Sequence, residues 1–96
     1  MGANFDSRTY DGDMSKAEVQ KAFNDAQDDA QSYYGNNPYN GSISNCDRTI
    51  QFRSQVFDNE NDAYDALMDV EKRAVVAVRA WRGGKQVWFI GTWCPE

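Results

Sequence analysis

The pair Gly83-Gly84 constrains this chain more than any other feature. Two extended, apolar-rich runs flank it, Ala74 to Arg82 and Lys85 to Trp93. A two-glycine loop accepts the positive φ of the primed turns that match strand twist, so the unit reads as a tight β-hairpin. Setting Arg82 opposite Lys85 gives the register by counting: Ala80 faces Val87, Val78 faces Phe89, Val76 faces Gly91 and Ala74 faces Trp93. These positions share one side, which reads as the core. The other side carries Val75, Ala77, Arg79, Trp81, Trp88, Ile90 and Thr92.

Two helices are expected upstream. Ser15-Lys16-Ala17-Glu18 is a capping box, in which the serine hydroxyl and the glutamate satisfy orphan N–H groups reciprocally. From there Val19, Ala22, Phe23, Ala26, Ala30 and Tyr33 recur at helical spacing, which predicts a helix from about Lys16 to Ser32. Tyr33, on that stripe, is assigned to the core. Gly35 is placed to end the helix. Short extended segments follow at 42–45 and 49–57, joined by Asp47-Arg48; Ile50, Phe52, Ser54 and Val56 share one face of the second. Asp58-Asn59-Glu60-Asn61-Asp62 supplies caps and negative charge for a second helix start, before the stripe Ala63, Tyr64, Ala66, Leu67, Met68 and Val70.

Residues 1–14 read as a polar N-terminal arm with a turn at Asp11-Gly12-Asp13 and anchors at Phe5 and Tyr10. The expected architecture is a single α+β domain over 15–96. Two helices pack on one face of an antiparallel four-stranded sheet, in the order α-β-β-α-β-β.

Charge is sorted along the 96 residues. Segments 1–35 and 58–72 hold 13 of the 15 carboxylates, whereas 73–96 carries Arg73, Arg79, Arg82 and Lys85 against Glu96. A net charge of −5 and a sequence pI near 4.6 speak against direct nucleic-acid binding, which needs clustered cations. No apolar run follows Met1 and no stretch reaches the length of a membrane span, so a cytoplasmic protein without membrane contact is expected. In that compartment Cys46 and Cys94 are expected as free thiols.

Enzymatic chemistry finds little footing. The chain has no histidine, so the commonest proton shuttle and metal ligand are missing. Cys94 lacks a nearby base, the two cysteines lack zinc-site spacing, and Gly83-Gly84 sits in a hairpin rather than a phosphate loop. Asp58-x-Glu60-x-Asp62 echoes an EF-hand loop, but Ala63 stands where glycine is needed and Asp69 where a bidentate glutamate is needed. No catalytic residue, metal or cofactor is assigned.

Three surfaces are candidates for binding. One is the loop after the first helix, where Tyr34, Asn36, Asn37 and Tyr39 combine amphipathic area with adaptable hydrogen bonding. The second is the exposed-face cluster of the hairpin, Arg79, Trp81, Arg82, Lys85 and Trp88, residue types common in interface hot spots and suited to cation–π stacking. Left bare, that face is a large apolar patch, so the arm, a second subunit or a partner is expected to cover it. The third is the acidic flank Asp25, Asp28 and Asp29, an ordinary solvated helix face or a surface that competes for phosphate sites.

The string Tyr34-Gly35-Asn36-Asn37-Pro38-Tyr39-Asn40-Gly41-Ser42-Ile43, entered from a helix and followed by a short strand, resembles small accessory proteins of phages and mobile elements. Some of these block bacterial defence nucleases or signalling enzymes. The resemblance implies a phage-type inhibitor in the host cell cytoplasm and carries over no site residues. Together these readings give a small acidic module that binds a larger host protein stoichiometrically, such as one with a basic nucleic-acid-binding surface. The alternative is a homodimer or larger homo-oligomer that sequesters a nucleotide signal.

Overall fold

A computed structural model of the chain describes residues 3–34, 43 and 46–95. Among these, the order is β1 (Ala3–Asp11), α1 (Lys16–Tyr34), β2 (Gln51–Phe57), α2 (Glu60–Met68), β3 (Val76–Arg82) and β4 (Lys85–Pro95). The fold is α+β, with the strands in one sheet of order β1-β4-β3-β2. No helix is long and apolar enough to cross a membrane, among the described residues.

The hairpin forms in the register counted from the sequence from Arg82↔Lys85 through Ala80↔Val87 and Val78↔Phe89 to Val76↔Gly91, but the expected Ala74–Trp93 pair does not form: β3 begins at Val76, and Trp93 bridges Lys72 instead. Gly83 and Gly84 take φ of 58° and 82°, the left-handed values a primed turn needs and only glycine adopts without cost. The capping box also forms. Glu18 N donates to Ser15 Oγ at 3.2 Å, and Ser15 N donates to the Glu18 carboxylate at 3.1 Å. Asn59 caps α2 by accepting from Asp62 N at 2.9 Å. Of the early extended segments, 42, 44 and 45 lie outside the described residues, Ile43 sits in a 3₁₀ turn, and β2 begins only at Gln51.

Three expectations are overturned. The supposed arm is β1, which pairs antiparallel with β4 along its length, from Ala3↔Pro95 to Asp11↔Val87. An edge strand is half solvated, so its Asn, Asp, Arg and Ser hid it from a search for apolar alternation. The element order is therefore β-α-β-α-β-β. The sheet is also mixed rather than antiparallel: β2 pairs parallel with β3, with an irregularity between Phe52 and Val56. The crossover α2 carries the chain back to the end where β2 began, so β3 must run the same way.

The third correction concerns the faces. Val19 and Phe23 of α1 pack with Ile43, Cys46, Ile50, Val75, Ala77, Trp88, Ile90 and Cys94. Ala63 and Leu67 of α2 pack with Val76, Val78, Ala80 and Phe89. Alternate residues of β3 thus face different helices, and α1 and α2 lie on opposite sides of the sheet. The chain advances from edge strand β1 to edge strand β2, then returns to β3; crossovers of one hand then require opposite faces. Both hairpin faces are buried.

A polar ladder ties α1 to the residues before β2. Gln20, Asn24 and Gln27 occur at i, i+4 and i+7. Gln20 Nε2 and Asn24 Nδ2 donate to the Arg48 carbonyl at 2.6 and 2.8 Å, and Ile50 N donates to Gln20 Oε1 at 2.9 Å. Gln27, 1% exposed, donates through Nε2 toward the carbonyls of Ile43, Cys46 and Asp47 at 3.0–3.2 Å. Gln27→Leu keeps the approximate volume and leaves those carbonyls without their donor. It is expected to cost about 2 kcal/mol, read as a lower urea midpoint at unchanged m-value.

Candidate functional site

Strands β1, β2 and β3 run parallel to one another, so Asp11, Phe57 and Arg82 end at the same edge of the sheet. Both helices start there, and so does the Gly83-Gly84 turn. In sheets with parallel strands, binding sites gather outside the carboxyl ends, where connections depart to opposite faces. The candidate site lies at this end.

Trp81 lies on the α1 side of the sheet, opposite Gln86. The turn between β1 and α1 lies alongside. Asp13 N donates to Asp11 Oδ1 and Met14 N to the Asp11 carbonyl, both at 3.0 Å, and Trp88 Nε1 donates to the Met14 carbonyl at 3.0 Å. A Cβ at Gly12 would collide with the Gln86 carbonyl, so glycine lets the turn close onto β4. The result is a depression of about 330 Å³ bounded by Asp11, Gly12, Asp13, Trp81, Lys85 and Gln86. Trp81 remains 45% exposed on its rim.

Arg82 and Lys85 point to the α2 side. A second depression there, about 290 Å³, is bounded by Thr9, Tyr10, Asp11, Arg82, Lys85 and Val87. The Arg82 guanidinium meets Glu60 of α2 at 3.0 Å, a half-exposed pair that orients the side chain more than it stabilises the fold. Burial pushes the Tyr10 phenol above its ordinary pKa; Arg8 opposes this shift and Asp6 adds to it. The end as a whole presents an exposed indole and two cations, bordered by Asp11, Asp13, Asp58, Glu60 and Asp62.

The sequence-derived candidates separate on this frame. Trp81, Arg82 and Lys85 come together at the sheet end, on two sides of it. Trp88 is 1% exposed beneath α1, so its place in an exposed cluster is corrected: α1 covers that face. The expected cation–π contact exists internally, with Arg79 Cζ 4.1 Å from the Trp88 ring centroid. Asp25 pairs with Lys21 at 2.9 Å and Asp28 with Arg48 at 2.7 Å, while Asp29 is exposed. Tyr33, assigned to the core, is instead 82% exposed in the last turn of α1. The side chain of Tyr34, and Asn36, Asn37 and Tyr39, lie outside the described residues.

Asp11, Gly12, Asp13 and Gln86 were missed as site residues. Asp-Gly-Asp was legible as a turn, but its place at the carboxyl end of a strand follows only once β1 is recognised. Comparisons with known proteins find no matching family model, curated protein or solved structure.

Proposed function

We propose that the chain is a stoichiometric protein-binding module that occupies and inhibits a larger partner with a basic surface, in the manner of small phage-encoded inhibitors of host defence or nucleic-acid-handling proteins. One observation carries the reading: Trp81 stands 45% exposed at the strand ends, beside a depression shared with Lys85, Asp11 and Asp13. Tryptophan is the residue type most enriched at interface hot spots, and adjacent hollows let a partner's side chains exclude water around it.

The charges favour a protein over a nucleotide. Stacking on Trp81 with a phosphate near Lys85 would bring that phosphate against Asp11 and Asp13, whereas a basic protein surface meets those acids with attraction. A nucleic-acid-mimicking role for the α1 acids draws less support, since Asp25 and Asp28 already hold partners within the chain.

The test is to identify the co-purifying protein from host extract, produce it pure and measure binding by calorimetry. Equimolar binding is expected, weakened at least about 30-fold by Trp81→Ala. Neutralising Asp25, Asp28 and Asp29 together is expected to change affinity by less than about threefold, as rim charges alter encounter more than residence. Affinity indifferent to Trp81→Ala would remove the docking site. Thermal stabilisation by nucleotides, with no protein bound, would replace this function with the sequestering homo-oligomer.

A further inference from the structure

At the other end of the sheet, the two cysteines meet. Cys94 lies on β4, antiparallel to the other strands, and so far from the hairpin turn. Cys46 lies in the segment the Gln27 amide holds against α1. Their sulfurs are 3.2 Å apart, about 1 Å more than a disulfide bond, across 48 residues of sequence. Both are free thiols; Cys46 is 7% exposed and Cys94 fully buried.

We propose that Cys46 and Cys94 form a redox-closable dithiol, converted by a peroxide-class oxidant into an intramolecular disulfide that fastens the Cys46 segment to β4. The proposal is independent of the docking site.

The surroundings assign the two roles. Thr92 Oγ1 donates to Cys46 Sγ at 3.3 Å. The Cys94 thiol, and then Thr92, stabilise a Cys46 thiolate and draw its pKa down against the opposing effects of burial, Asp6 and Asp47. Cys94 is held protonated by its hydrogen bond to Cys46 and by burial, with Asp6 adding to this and Arg8 opposing it. Cys46 is thus both the less buried residue and the thiol that ionises first, which makes it the attacking thiolate. Burial this deep suits a small oxidant.

The Cys46 thiolate attacks one peroxide oxygen and the O–O bond breaks. The hydroxide released takes up a proton as water, leaving sulfenic acid on Cys46. Cys94 then attacks the Cys46 sulfur; the S–S bond forms, the S–O bond breaks, and the departing hydroxide leaves as water with the Cys94 proton. Two thiols lose two electrons and one peroxide becomes two waters. A dithiol reductant reverses the closure by exchange.

The purified chain is treated with dilute hydrogen peroxide and followed by intact mass, thiol titration and thermal melting. The expected result is a monomer about 2 Da lighter with no titratable thiols. Its Tm should rise on the order of 10 °C, because the bond closes a long loop of the unfolded chain, and a dithiol should restore the starting state. In Cys94→Ser the expected product is instead a Cys46 sulfenic acid captured by a dimedone-type probe, and in Cys46→Ser no capture occurs. Retention of both thiols by the wild-type chain, formation of linked dimers, or a lower Tm on oxidation would overturn the proposal.

Discussion

Deleting residues 1–11 is expected to abolish the cooperative thermal transition, leaving a chain with a flat melting curve by circular dichroism and collapsed amide dispersion by NMR. In sequence the segment belongs to a polar arm, and removal of a loosely held arm would move Tm by no more than about 2 °C. In the fold it is the outer neighbour of β4, paired from Ala3↔Pro95 to Asp11↔Val87. Without it β4 becomes an edge, and the backbone groups it gives to β1 lose their partners. Side chains are uncovered on both faces. Phe5 leaves the Trp93 ring, 4.9 Å away, and the vicinity of Gly91 and Leu67; Tyr10 leaves the cluster around Trp88. A domain of this size holds roughly 5–15 kcal/mol in total, and the deletion is expected to remove most of it.

The largest single-residue effect is expected at Trp88. Trp88→Ala should cost about 4 kcal/mol, lowering Tm by roughly 15–30 °C, measured by calorimetry. The indole is 1% exposed between α1 and the sheet. It holds three neighbours in place: the Arg79 guanidinium over its ring, the edge of Phe52 at 5.4 Å, and the Met14 carbonyl at 3.0 Å. Truncation therefore opens a cavity and also strips Arg79, whose Nε has no hydrogen-bond acceptor among the described residues, of its aromatic partner. Trp88→Phe separates these effects. It fills much of the space and sacrifices the Met14 hydrogen bond, for an expected loss of about 1–2 kcal/mol. Equal losses in the two variants would place the role of Trp88 in its N–H rather than in its volume.

What could be read in advance follows the range of the forces involved. The Gly83-Gly84 hairpin, the Ser15–Glu18 capping box and the Asn59 cap are fixed by neighbours within a few residues, and each is found where its spacing puts it. The β1–β4 and β2–β3 pairings join distant segments, and their strands are edges whose solvated sides blur alternation. The hairpin's second face carried the missing information. Val75, Ala77, Trp88 and Ile90 demanded a cover, and α1 supplies it where an arm or a second subunit was also conceivable. The same solvated edge scatters the candidate site along the sequence. Trp81, Arg82 and Lys85 were legible as binding residue types, but their neighbours Asp11 and Gly12 belong to a strand end hidden in polar sequence. Gln20, Asn24 and Gln27 carried the right helical spacing, yet polar side chains on a helix are solvated by default, so nothing local marked them as turned inward.

The pairing of the first strand with the last also has a consequence in time. β4 stands between β1 and β3, and its residues 85–95 are made after everything they must join. Until they leave the ribosome, β1 has nothing to pair with and the apolar side chains of α1, α2 and β3 have an incomplete sheet beneath them. Folding of this sheet therefore waits for the synthesis of β4. Its slowest step is the long-range closure of the sheet, in the regime of topologies dominated by distant contacts, so the nascent chain waits with sticky surface exposed. For a fold spread over a single sheet, the order of synthesis sets how long apolar surface stays uncovered before the native state is reached.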